Sequence, residues 1–159
     1  MADDAATNRD LIRRFYDAFN RRDGDTVAAC YLPTAMFRDP VFGALTGEEA
    51  GRMWRMLTSR AKSLTIELLE HDADATTGQA RWRARYDFVA TGRPVVNDVR
   101  ATFRFTDGLI AEHVDKFSFF AWSRQALGPT GLAIGWSPPG RRAVRRRARA
   151  ELERFEWLP

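Results

Sequence analysis

Three side chains in this sequence have the chemistry and the spacing to move protons. Asp39 lies in Arg38-Asp39-Pro40-Val41, and His113 and Asp115 lie two apart in Gly108-Leu109-Ile110-Ala111-Glu112-His113-Val114-Asp115-Lys116-Phe117. The second stretch follows an Asp107-Gly108 turn signal and reads as a strand. Strand side chains alternate between faces, so Leu109, Ala111, His113, Asp115 and Phe117 are expected on one side, with Glu112, Val114 and Lys116 on the other. An imidazole and a carboxylate then stand on an otherwise apolar face. A carboxylate in apolar surroundings has its charged form disfavoured and becomes a competent acid or base near neutral pH. On that reading Asp39 and Asp115 are candidate catalytic groups, with His113 orienting Asp115. Each also has a plainer role: Asp39 in shaping the turn before Pro40, Asp115 as a satisfied polar group, His113 as a structural histidine.

The elements that must position these residues follow from periodicity. Asn8 or Asp10 is placed to cap a helix whose Leu11, Ile12, Phe15 and Phe19 recur at helical spacing. A short second helix, Thr26 to Tyr31, is expected to stop at Leu32-Pro33, because the residue before proline is pushed out of the helical region. Thr34 to Gly43 reads as a strand breaking at Asp39-Pro40. Thr46-Gly47-Glu48-Glu49 reads as a capping box opening a third helix to about Lys62, with Met53, Trp54 and Leu57 toward the core.

From Leu64 the period changes to alternation. Leu64, Ile66 and Leu68 form one strand, and His71 to Gly78 reads as a polar loop. The next strand sends Trp82, Ala84, Tyr86 and Phe88 to one side and Arg81, Arg83, Arg85 and Asp87 to the other. A two-residue turn at Thr91-Gly92 would pair Phe88 with Val95, Tyr86 with Asn97, Ala84 with Val99 and Trp82 with Ala101. Asn97, Val99, Ala101, Phe103 and Phe105 then face inward, and both strands agree on the apolar face. Three helices followed by strands with one apolar and one charged face make an α+β layout, helices covering a curved antiparallel sheet. The expected ligand wall is Phe15, Phe37, Trp54, Trp82, Tyr86, Asn97, Phe103 and Phe117. So aromatic a lining suits a largely apolar ligand held by few polar contacts.

The 159 residues, 45% hydrophobic, suffice for one domain with a real core. Its expected parts are a core over 8–120 and a helical extension over 121–159. Phe119 to Leu127 reads as a short helix ending at Gly128-Pro129, followed by a Gly-rich apolar stretch, Thr130 to Trp136. A final basic amphipathic helix carries Val144, Ala148, Leu152 and Phe155 on one stripe. The net charge of +4 resides there: Gly140 to Pro159 holds seven Arg against three Glu. With Glu151, Glu153 and Glu156 interleaved, the helix fits packing on its own domain or a dimer partner better than binding nucleic acid or an anionic membrane. The acidic start and the lack of a long apolar run suggest a cytoplasmic protein. Cys30, the single cysteine, reads as a buried small hydrophobe. His71 and His113 do not form a ligand pattern, and no phosphate loop or nucleophile elbow stands out, so a mechanism without metal or cofactor is expected.

Helix, helix, Phe37-Arg38-Asp39-Pro40-Val41-Phe42-Gly43, third helix and a sheet ending in an Asp-bearing strand together resemble the nuclear transport factor 2-like superfamily, its SnoaL-like and ketosteroid-isomerase-like branches above all. The resemblance covers about residues 8–120 and implies a cone-shaped fold enclosing a pocket, with a homodimer formed through the charged sheet face. It makes Asp39 similar to the proton-abstracting carboxylate of the isomerases and Asp115 similar to the acid or base of SnoaL-like cyclases. Phe15 and Ala101 stand where the isomerases keep their oxyanion donors, which argues against steroid isomerisation. Arg85-Tyr86-Asp87 resembles the Arg-x-Asp of limonene epoxide hydrolases, but the hairpin register sends Arg85 and Asp87 outward, and Phe37 and Asp39 replace that family's Tyr and Asn. The leading expectation is an acid-base enzyme for a small hydrophobic carbonyl compound; the rivals are a non-catalytic binding or scaffold protein and, less favoured, an epoxide hydrolase.

Overall fold

The apolar stripe of the first helix and the alternating strands meet in a computed structural model that describes residues 2–155. Helix α1 (Ala2–Asn20) buries Leu11, Ile12, Phe15 and Phe19 as the spacing requires. It starts before the expected caps. Asn8 lies inside α1, buried, and its Nδ2 donates to the carbonyls of Asp74 and Ala75 (3.0 and 3.1 Å), while Asp10 accepts from Arg13. Helix α2 (Gly24–Ala29) is capped by Asp23, and strand β1 (Tyr31–Asp39) begins at once. Tyr31, Leu32 and Pro33 are therefore extended; Pro33 falls where the ladder to the parallel neighbouring strand is irregular, between Tyr31 and Met36, so its missing N–H breaks no regular pairing.

Strand β2 (Gly43–Thr46) pairs antiparallel with β1 and is not visible in the sequence, since four residues are too few to show alternation. The capping box is present: Thr46 Oγ1 accepts from Glu49 N and Glu49 Oε1 accepts from Thr46 N, opening α3 (Gly47–Arg60). Strands β3 (Leu64–Ala73), β4 (Thr77–Asp87), β5 (Pro94–Thr106) and β6 (Leu109–Lys116) complete a sheet of order β2-β1-β6-β5-β4-β3. The sheet is mixed, because β1 lies parallel to β6 while the other neighbours are antiparallel. No hairpin joins β1 to β6, so no turn dictates their relative direction.

Three local departures have simple causes. His71 is not in a loop: β3 runs on to Ala73, with His71 opposite Ala80, and Asp74 closes the turn by accepting from the N–H groups of Thr76 and Thr77. The β4–β5 connection is longer than two residues, with Phe88 N donating to Arg93 O across it. Register therefore moves by two, Tyr86 facing Val95, Ala84 facing Asn97 and Trp82 facing Val99, and a shift of two preserves which side chains point inward. On β6 the register slips between Arg104↔Glu112 and Phe105↔Ile110, so Ala111 is bulged. Ile110 thereby turns into the core at 0% exposure in place of Leu109 and Ala111, whereas His113 and Asp115 keep their inward places.

Helix α4 (Phe119–Leu127) forms as the sequence suggests, and α5 (Pro129–Gly135) takes up the Gly-rich stretch. Pro129 starts α5, and Gly131 and Gly135 lie so close to Ser123 of α4 that a Cβ at either would collide with it. Val95, Phe119, Trp122 and Ala126 make a second small core beneath α4. Helix α6 (Pro138–Arg154) packs on its own domain: Leu152 is buried, Ala148 and Phe155 join the main core, and Val144 joins the second. Arg149 Nη1 ties it to β2 through the carbonyls of Phe42 and Ala44 (3.3 and 2.9 Å). Glu156 lies outside the described residues. No helix among the described residues is long and apolar enough to cross a membrane.

Candidate functional site

The parallel register sets Phe37 beside His113. Two residues further along both strands, on the same face, come Asp39 and Asp115. The sheet has thus drawn together the two carboxylates that the sequence singles out, from well-separated parts of the chain.

His113 is fully buried, and both its ring nitrogens are engaged. Nε2 lies 2.9 Å from Asp115 Oδ1, and Nδ1 lies 2.7 Å from the Tyr31 hydroxyl, which in turn accepts from Trp54 Nε1 at 2.9 Å. Only one proton arrangement serves every group. Indole N–H can only donate, so Tyr31 oxygen accepts from it and spends its own proton on His113 Nδ1. The imidazole then gives its Nε2–H to Asp115 Oδ1. Phe15, Phe37 and Phe103 pack around the imidazole at centroid distances of 5.6, 5.1 and 4.4 Å, and the Trp54 ring stacks at 6.4 Å. Four of the expected ligand-wall residues therefore enclose the histidine, and His113 acts on Asp115 rather than on open space.

Asp39 ends β1, and its Oδ1 accepts from the N–H groups of Val41 and Phe42 (2.9 and 2.6 Å). It does shape the turn. Burial is nevertheless the larger influence and raises its carboxyl to about 7; the Phe42 N–H pulls the other way and the Asp115 charge adds to the rise. A carboxyl with that value is divided between acid and base at neutral pH.

Tyr86 lies near enough to Asp39 to feel its charge, and burial, the larger cause, lifts its phenol to about 12. Its hydroxyl accepts from Trp122 Nε1 at 2.8 Å, so α4 is fastened over this end of the inner face. Phe117 is half-buried and packs against both cores; Asn97 is half-buried opposite Ala84. Trp82 is buried with its ring 5.4 Å from that of Tyr16. Arg85 and Asp87 are exposed on the outer side, where Asp87 accepts from Ser63, so the Arg-x-Asp pair does not reach the inner face. Sequence reasoning misses Tyr31, Trp122 and Tyr16. The first two have polar atoms that matter only through partners distant in the chain, and Tyr16 sits beside the helical stripe with nothing local to mark its hydroxyl. Among the described residues no three His, Cys, Asp or Glu side chains gather as a metal set would.

A family model for the SnoaL-like domain matches residues 12–113, well over half of the sequence. The chain belongs to the SnoaL-like family. The SnoaL-like chain also shares its fold with solved structures. An LEH-like epoxide hydrolase of M. tuberculosis superposes with a TM-score of 0.65 at 18% identity, covering 82% of this chain and 97% of that one. A protein of Xanthomonas campestris assigned as a polyketide cyclase gives 0.65 at 18% identity, covering 77% and 98%. A ketosteroid-isomerase-like protein of Catenulispora acidiphila gives 0.66 at 11% identity, covering 80% and 97%. No curated protein sequence matches the chain. At these identities the structures establish the fold alone, an NTF2-like frame used by enzymes and ligand binders.

Proposed function

We propose that this SnoaL-like protein is a cofactor-independent acid-base enzyme acting on a small hydrophobic carbonyl compound. The supporting observation is the pairing, on one buried face, of Asp39, poised near neutrality, with Asp115, held by His113. Asp39 as carboxylate takes a proton from the carbon beside the substrate carbonyl. The electron pair of that C–H bond moves onto the carbonyl oxygen as an enolate, and the proton held on Asp39 is returned to the same or another atom. Asp115 is the second carboxylate, serving as acid or base, and His113 is a positioning residue that fixes its rotamer. The net result is an isomerisation, or a ring closure where a second carbonyl carbon receives the enolate.

A second reading, ligand binding without turnover, has its own support: Phe15 and Ala101 offer no hydrogen bond to a developing oxyanion. A thermal-shift screen of hydrophobic ketones and lactones, followed by NMR of each binder in D2O, separates the two. Deuterium entering the carbon beside the carbonyl supports the enzyme; tight binders that stay protonated support the binding protein.

A further inference from the structure

Large apolar side chains that reach solvent gather at one end of the molecule. Among the described residues seven are exposed, and five of them, Val89, Val96, Phe120, Leu132 and Trp136, belong to the β4–β5 connection and its flank, α4 and the end of α5. The connection lies against α4, because Thr91 Oγ1 donates to Ala126 O and Val96 N donates to Gln125 Oε1. Gly135 of α5 is so close to Phe120 that a Cβ there would stand 3.3 Å from its ring. Leu132 and Trp136 are four residues apart, so they share a face of α5 beside Phe120. Trp136 is 71% exposed, unusual for a side chain that is ordinarily well buried. Exposed apolar groups scattered singly need no explanation; a ridge of them does.

Arginine borders the ridge. Arg124 follows Phe120 by one turn of α4 and is exposed. Arg93 Nε donates to Gln125 O, and its guanidinium lies against Gly128 at the start of α5. At the other end Arg141 Nε donates to Gly135 O, beside Trp136, and Arg142 comes next, exposed in the opening turns of α6. From Lys116 to Ala150 the sequence holds eight of its 25 Lys and Arg and none of its 21 Asp and Glu. The rest of the chain is therefore net acidic, and the positive charge belongs to the segment that carries the ridge. Helix α6 turns its own apolar stripe to the domain through Leu152, so the uncovered apolar surface is that of α4 and α5.

We propose that this ridge docks the protein on an anionic phospholipid surface, Trp136, Leu132 and Phe120 entering the headgroup region while the bordering arginines meet the acidic headgroups. Tryptophan favours that zone, because its ring is apolar and its N–H finds acceptors there. A few apolar side chains hold a bilayer weakly by themselves, so the charge supplies the second signal. Each arginine close to such a surface tightens binding about fivefold. A second copy of the chain fits badly, since a two-fold contact through the ridge sets arginine against arginine. Nucleic acid would use the charge and the aromatic rings but leave the aliphatic Val89, Val96 and Leu132 without a role. Trp122 fastens this same α4 to Tyr86, so the lipid would lie against the helix that covers the inner face. The proposal stands independently of the acid-base reading.

The test is flotation of the full chain with vesicles of phosphatidylcholine alone and of phosphatidylcholine mixed with an equal amount of phosphatidylglycerol. Wild type should bind the anionic vesicles at least about tenfold more tightly, and high salt should remove most of that preference. Lipids brominated on their acyl chains should quench part of its tryptophan fluorescence, which reads the ridge without any substitution. Leu132→Ser combined with Trp136→Ser should lose the quenching and bind at least about tenfold more weakly, with the melting temperature of wild type, because both side chains are exposed. Arg124→Gln combined with Arg142→Gln should weaken anionic binding on the order of twentyfold. Absence of flotation, equal binding to both kinds of vesicle, or no quenching in wild type overturns the proposal. So does a single-stranded oligonucleotide bound more tightly than the anionic vesicles, which would make the surface one for nucleic acid. A lipid-free dimer that the paired serine substitutions dissolve would make it a subunit interface and overturn it equally.

Discussion

His113 Nε2 and Asp115 Oδ1 are 2.9 Å apart, and the imidazole has no solvent exposure. Asp115 is thereby held from within the core. The orientation depends on two more groups, since Tyr31 fixes the tautomer of His113 and Trp54 fixes the hydroxyl of Tyr31.

Tyr31→Phe should therefore be expensive. It strands both Trp54 Nε1 and His113 Nδ1 in the core, each at about 1–3 kcal/mol, so a loss of about 2–6 kcal/mol is expected in urea unfolding at neutral pH. A change below about 0.5 kcal/mol would mean that the hydroxyl does not link them.

Asp39 gives stability a pH dependence of known sign. Its carboxyl moves from 3.8 when unfolded to about 7 when folded, so the folded state favours the protonated form. That contribution is complete below pH 3.8 and is lost as the pH rises through 7. Each tenfold difference in proton affinity between the folded and unfolded chain corresponds to about 1.4 kcal/mol, and because the residue is only partly shielded from water, about 1–2 kcal/mol of the whole is expected. Asp39→Asn keeps an acceptor for the Val41 and Phe42 N–H groups, so its stability relative to wild type should climb between pH 4 and pH 8. Unfolding midpoints of the two proteins across that range check the sign; parallel curves contradict it.

The C-terminal helix offers a test of packing. Leu152 is 3% exposed, and truncating a buried leucine to alanine costs about 2–5 kcal/mol. Leu152→Ala should lower the melting temperature clearly, and deletion of residues 140–159, which also removes Val144, Ala148 and Phe155, should lower it further. A deletion that melts like the full chain would show that α6 contributes nothing to the domain.

The sequence is readable wherever one face of an element is buried. Alternation on β4 and β5 places Trp82, Tyr86, Asn97 and Phe103 on the inner face even though the loop is longer than the turn signal implies, because an error of two residues leaves the faces as they were. The β6 bulge is invisible, since nothing in Leu109-Ile110-Ala111 marks an extra residue; only pairing with β5 reveals that Ile110 goes in. The carboxylates are legible by type and by resemblance, but their convergence depends on a parallel β1–β6 pairing that local periodicity does not encode. Tyr16, Tyr31 and Trp122 carry the least signal of all, for an aromatic in an apolar run reads as core until its polar atom is seen with or without a partner.

Proton abstraction by Asp39 is the central claim, and deuterium exchange at the carbon beside the carbonyl of a bound ketone, followed by NMR against pH, tests it most directly. Exchange should rise about tenfold per pH unit below 7 and level off above it, as the carboxyl with a value of about 7 ionises. Asp39→Asn should bind the ketone yet exchange it ~10²–10⁴-fold more slowly. Exchange that is flat between pH 5 and pH 9, or equally fast in Asp39→Asn, would contradict it.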